Sequence, residues 1–178
     1  MFKSVIHFFR QKNIRNFLLN KQNCIFPDVS KYPVVAVFIN ENQKSQLKEL
    51  EKTMNRLFVM KKCTFFIFEE KLAGDIFQND KVHLVVKDDF NILGLLKQDK
   101  KDALANKYFD MLINLSKDQS ELLTYDYLMS CIKTSFRVTF SNTKDPLYDL
   151  VIDSKKDESL ISQLEILQKY LLMLSGKK

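Results

Sequence analysis

VVAVFINENQKSQLKELEKTMNRLFVMKKCTFFIF, residues 34 to 68, decides the architecture. It opens with an unbroken apolar run, Val34 to Ile39. Such a run, with no polar alternation, marks a strand buried on both faces, as in parallel sheets. Asn40 and Asn42 follow as helix N-caps, since their short side chains can satisfy the amides a first helical turn leaves free. Leu47, Leu50, Met54, Leu57 and Phe58 then recur at helical spacing and predict a helix near 42 to 60. Thr64 to Phe68 is the next apolar run. Strand, helix, strand in this order is a crossover unit, right-handed by default.

Outward from this unit the alternation continues. Val82 to Val86 reads as a third strand, joined to the second by a link that is short for a full crossover helix, so its direction is open. A turn-rich stretch holding Asp88, Asp89, Asn91 and Gly94 leads to a short helix over 100 to 108. Phe109 to Leu115 is the fourth strand, 121 to 133 a helix, and Phe136 to Phe140 the fifth strand. Tyr148 to Asp153 is the sixth, its direction open as well, with an antiparallel return at an edge as one option. Leu160, Leu164, Leu167, Leu171 and Leu174 form one stripe on a closing helix over 157 to 174. Together these predict an α/β, three-layer, Rossmann-like sandwich around a mainly parallel sheet of five to six strands.

Before that domain, taken as residues 28 to 178, the first 27 residues form a separate basic arm. Phe2, Ile6, Phe9, Ile14, Phe17 and Leu18 share one broad helical face over residues 2 to 20. The arm carries Lys3, Arg10, Lys12, Arg15 and Lys21 with no acid before Asp28. The whole chain has 28 Lys and Arg against 22 Asp and Glu, so most of its formal charge of +6 belongs to this one end. Three readings fit the arm: a helix docked on its own domain, an interfacial helix on anionic lipid, and a contact with a partner protein. Nucleic acid is disfavoured, because the cations form no dense block and no RNA-binding aromatic signature occurs.

Composition removes several chemistries. The chain has 178 residues and three glycines, which stand far apart. No phosphate-cradling loop of the P-loop or GxGxxG kind can be written, since backbone amides must approach the anion without Cβ atoms in the way. Cys24, Cys63 and Cys131 show no CxxC spacing, and His7 and His83 are the only histidines. Neither a zinc site nor a disulfide framework is expected, and the cysteines are read as reduced thiols of a cytoplasmic protein. No apolar run reaches the roughly 18 residues that span a bilayer. A secretory signal is not expected either, for want of an uninterrupted apolar core and a small-residue cleavage site.

Four segments carry a resemblance: Asp89-Phe90-Asn91 with Gly94, FDMLINLS at 109 to 116, KTSFRVTF at 133 to 140 and YDLVID at 148 to 153. They resemble an uncharacterised family of Bacteroidota α/β proteins over about residues 30 to 174. That likeness implies the fold and no known activity. Residues 109 to 140 are also similar to part of the N-terminal half of heptosyltransferase-type glycosyltransferases. Asn114 stands where that pattern has an acid and Thr139 where it has glycine, and 178 residues leave no room for the sugar-nucleotide half.

In an open α/β sheet, ligands bind beyond the carboxyl ends of the strands. Those positions hold Asn40, Glu41 and Asn42; Glu69 and Glu70; Asp88 and Asp89; and Asn114, Ser116 and Asp118. Asn40, Asp88, Asp89, Asn114 and Ser116 are the candidate ligand-binding residues. Converging carboxylates could hold magnesium; the competing reading is capping and turn chemistry, and no metal or cofactor is expected. Arg137, inside an apolar run, calls for a partner, with Asp110 or Asp149 as choices. His83 reads as a hydrogen-bonded core or face residue. Ser116, Ser120 and Ser130 have no histidine within reach of their sequence positions, so no activated nucleophile is identified among them.

The expectation is a non-catalytic α/β binding or assembly protein of the cytoplasm, peripheral to the inner membrane if the arm binds lipid. The alternative is a ligand-binding domain or enzyme that uses the polar strand ends.

Overall fold

A computed structural model describes residues 2–21, 23–27, 33–69, 81–116, 119–141, 145–154 and 158–175. Helix α1 spans Phe2–Leu19, β1 Val34–Asn40, α2 Leu47–Leu57, β2 Lys62–Glu69 and β3 Val82–Val86. Then come α3 Gln98–Ala105, β4 Tyr108–Asn114, α4 Gln119–Ser130, β5 Lys133–Phe140, β6 Leu150–Ile152 and α5 Leu160–Leu174. The six strands form one sheet in the order β3-β2-β1-β4-β5-β6. Every adjacent pair is parallel. This is the doubly wound order, in which the chain builds outward from β1, returns, and builds outward the other way.

The alternation of side chains sorts the core into two layers. Val35, Val37 and Ile39 of β1 face Leu50 and Met54 of α2 and the Leu160, Leu164, Leu167 and Leu171 stripe of α5. Ala36 and Phe38 face the other way, toward Tyr125, Leu128 and Met129 of α4. Val35 to Ile39 is fully buried on both sides, which is why this segment contains no polar residue. Helix α5 begins at Ser159, whose Oγ accepts the Ser162 amide proton at 3.1 Å. Leu174, expected on its inner stripe, is exposed at the last residue of the helix.

Helix α1 lies on α4. Ile14 and Phe17 pack against the second layer. The Arg10 Nε donates to the Gly94 carbonyl at 2.8 Å and its guanidinium lies 5.0 Å from the Phe90 ring centroid. At the other end of the helix, Lys21 pairs with Asp149 at 2.7 Å and donates to the carbonyls of Pro146 and Leu147.

Two strand directions resolve what the sequence left open. β3 is parallel to β2. β6 is parallel to β5, which excludes the option of an antiparallel edge. It is short: its three residues pair only with Val138, Thr139 and Phe140, the last three residues of β5. A connection to a short parallel strand at the same end of the sheet retraces only a few ångströms, so it needs no crossover helix. A correction concerns Arg137. Its guanidinium donates to the carbonyls of Ile132 at 3.1 Å and Met129 at 3.5 Å, and stacks 4.5 Å from the Phe17 ring. It therefore caps the negative end of α4. Asp149 instead accepts the Arg137 backbone amide, and Asp110 that of Val34.

Candidate functional site

The strand order reverses between β1 and β4, so the fold places its switch point where Asn40 and Asn114 end their strands. Phe38 lies opposite Asn114 in the parallel ladder, and the Leu115 amide donates to the Phe38 carbonyl at 2.9 Å. Continuing that register brings Ser116 beside Asn40. Both have the parity of Phe38, so both belong to the α4 face of the sheet. Each is nearly buried, at 7% and 6% exposure.

Their neighbours are tied down. Asn114 Oδ1 accepts the Ser116 amide at 3.0 Å, and its Nδ2 donates to the Tyr148 hydroxyl at 2.7 Å. Tyr148 in turn donates to Asp126 Oδ1 at 2.5 Å. The Tyr125 hydroxyl donates to the Ile39 carbonyl and accepts the Phe68 amide, stitching α4 across the ends of β1 and β2. Gln43 folds back so that its Oε1 accepts the Asn40 amide and its Nε2 donates to the Leu115 carbonyl. Amid this saturation, Asn40 Oδ1 and Ser116 Oγ have no hydrogen-bond partner among the described residues. On the opposite face Glu69 is completely buried, with Oε1 on Lys44 Nζ at 2.7 Å and Oε2 unpartnered. A buried polar atom without a partner costs about 1–3 kcal/mol, so such atoms call for an explanation.

The remaining sequence candidates sit elsewhere. Asp89 accepts the Val86 amide at 3.0 Å and pairs with Lys100 at 3.0 Å, which is turn and surface chemistry. Asp88, Glu41 and Asn42 are exposed. β3 is two strands from β1, so Asp88 and Asp89 do not share the switch point with Asn40 and Asn114. Glu70 and Asp118 lie outside the described residues. Among the described residues no three His, Cys, Asp or Glu side chains gather as metal ligands. Of the five basic arm residues, Arg10 and Lys21 turn inward onto the domain, while Lys3, Lys12 and Arg15 are exposed.

Two residues of this region were not singled out from sequence. Burial pushes the Asp126 carboxyl up to about 7, against the Tyr148 hydrogen bond, which holds it down, with Asp145 adding to the rise. Tyr148 is itself pushed well above its usual range by burial and by Asp126. Periodicity could place Asp126 on a helix but not against a tyrosine 22 residues later.

A family model described as a family of unknown function (DUF6913) matches residues 7–174, nearly the whole chain, and the chain belongs to that family. The match indicates neither a source lineage nor a glycosyltransferase. No curated protein and no solved structure matches.

Proposed function

We propose that this DUF6913 member is a non-catalytic α/β binding protein whose ligand sits at the switch point between β1 and β4. One observation carries the reading: Asn40 Oδ1 and Ser116 Oγ, both buried at the strand ends where the order reverses, have no hydrogen-bond partner among the described residues. Asn40 Oδ1 only accepts and the Ser116 hydroxyl both donates and accepts, so the ligand brings at least one donor. Glu69, on the opposite face, is paired with Lys44 and adds no unpaired charge. The absence of clustered glycines removes a pyrophosphate cradle. A small uncharged molecule rich in hydroxyl or amide donors, such as a monosaccharide, fits these terms.

The test is an amide-resolved NMR titration with a panel of monosaccharides. Shifts should cluster at residues 39 to 42 and 114 to 116. Asn40→Leu should abolish them while raising the stability of the ligand-free protein by about 1 kcal/mol, because it removes an unsatisfied buried group. Shifts scattered elsewhere, or full binding by Asn40→Leu, would sink the assignment.

A second reading concerns α1. Its outward stripe is Val5, Phe8, Lys12, Arg15 and Leu19, with Phe8 61% exposed and no acid on the helix. We infer that this stripe rests on anionic lipid while the inner face stays on α4. No helix of the described residues is long and apolar enough to cross a membrane. Three free thiols support a reducing, cytoplasmic setting. Co-sedimentation with anionic vesicles should weaken as salt rises, and at low salt should be weaker in Phe8→Ser with Lys12→Ser than in the unaltered protein. Equal binding to neutral vesicles would remove this reading.

A further inference from the structure

The opposite end of the sheet holds a cavity that the switch-point reading does not use. It has a volume of about 420 Å³ and opens at the amino ends of β1 to β4. Its apolar wall is Val34, Val82 and Phe109. Its polar groups are Lys62, Thr64, His83, Lys107 and Tyr108. That volume lies in the range of roughly 300–1,000 Å³ usual for small-molecule pockets.

The charges in it are of one sign. Lys62 and Lys107 line the cavity with no carboxylate beside them among its described lining residues, and neither is in an ion pair among the described residues. Lys107 Nζ lies 3.2 Å from His83 Nδ1 and 5.7 Å from the Phe66 ring centroid. An ammonium can only donate, so His83 Nδ1 accepts and the ring proton stays on Nε2. His83 is thus a neutral donor. Burial holds its pKa down at about 4, Lys107 adds to this, Asp89 opposes it and Lys100 reinforces it. Burial and the charge of Lys62 likewise lower Lys107. Lys107 is partly buried and Lys62 exposed at the rim, and two like charges this close without a counter-ion among the described residues are an unfavourable arrangement that a bound anion relieves.

We propose that this cavity binds a small organic anion through Lys62 and Lys107, with a phosphate monoester as its charged group. Two lysines without an arginine suit a phosphoryl group, which takes point charges, better than a carboxylate, whose fork arginine matches; of the two lining hydroxyls, that of Tyr108 is already bonded to Ser135. A bare phosphate would leave most of the cavity and its apolar wall empty, so the organic part of the ester lies against Val34, Val82 and Phe109.

The chain's two histidines make the test direct. His83 lines the cavity and His7 is exposed on α1, so His7 is an internal control. Imidazole NMR signals are followed at neutral pH and low salt while phenyl phosphate is added, and phenol in a parallel arm. His83 should shift saturably with phenyl phosphate, His7 should not, and phenol should leave both in place. Lys62→Met and Lys107→Met should each weaken binding about tenfold or more, equivalent to about 1.4 kcal/mol. Methionine keeps the apolar stem on Phe66; should Lys107→Met fail to fold, Lys62→Met at the exposed rim decides alone. The response should survive Asn40→Leu, which separates this site from the switch point. A silent His83, an equal response to phenol, or unchanged affinity in Lys62→Met overturns the proposal.

Discussion

Asp126 and His83 titrate in opposite senses, and their combination gives the pH profile of stability. The folded Asp126 carboxyl stands at about 7 against an ordinary 3.8, so the native state holds a proton that the unfolded chain releases. Stability from this group is greatest below about 4, falls as pH rises toward 7, and is flat beyond. The folded His83 stands at about 4 against an ordinary 6.5. Its contribution is complete above 6.5 and is lost as pH falls toward 4. Over their shared window the two slopes oppose, so the native protein should show a shallow profile. Asp126→Asn unmasks the histidine: stability should then climb clearly between pH 4 and 6.5. Urea unfolding at a series of pH values measures this, and an unchanged profile in Asp126→Asn would mean that Asp126 is ionised throughout. None of this is legible in the sequence, because both shifts come from burial created by distant segments. Arg137 shows the boundary well. An arginine inside an apolar run announces a partner, yet the partner is a pair of helix-end carbonyls that the short α4–β5 turn carries over the strand.

At the scale of elements, α1 and the loop before α3 form one joint. Gly94 has φ of +71°, and a Cβ there would run into the Ile6 side chain. The Gly94 carbonyl also receives Arg10 Nε. Gly94→Ala therefore carries two penalties, a left-handed backbone that costs an L-residue about 1–2 kcal/mol and a collision with α1. The expected outcome is a lower thermal midpoint together with faster amide exchange along α1. A drop in midpoint with α1 protection intact would assign the cost to the loop alone. The sequence made the strands plain because residues buried on both faces leave an unbroken apolar signature, as in Val34 to Ile39. It placed helix ends less well: the first crossover helix is a 3-10 turn over Glu41–Gln46 followed by α2, not a single helix. It also left Phe8 unassigned, and Phe8 proves to be on the outer side of α1. The direction of β6 stayed open because a three-residue strand carries too little pattern to show which way it runs.

For the whole molecule, the strand order could not be read from periodicity, since each crossover fixes its handedness but not the point at which the chain turns back. That point is set by long-range packing, and it decides which strand ends become neighbours. Asn40, Asn114 and Ser116 were legible as polar strand ends; that they meet, and that Asp88 and Asp89 stand apart from them, depends on the order β3-β2-β1-β4-β5-β6. The amino-end cavity was invisible for the same reason. Lys62, His83 and Lys107 are ordinary residues in sequence and become a cluster only when the first residues of β2 and β3 and the residue before β4 are set side by side.

The same order ranks the strands by stability. β1 is flanked by β2 and β4, and β4 by β1 and β5. Val35 to Ile39 and Met111 to Ile113 are fully buried. Their amides can meet water only when both helical layers and both neighbouring strands are gone, which is global unfolding. β6 is three residues long at one edge, held by pairing to Val138, Thr139 and Phe140. β3 is the other edge and is paired on one side only. Native-state hydrogen exchange at increasing urea should therefore separate two classes. Amides of β1 and β4 should share the largest opening free energy and its full denaturant dependence. Amides of β6 and β3 should exchange through smaller openings that respond weakly to urea. Strand β6 exchanging as slowly as β1 would show that its hold comes from more than three residues of ladder, with Lys21 on Asp149 as the first contact to remove.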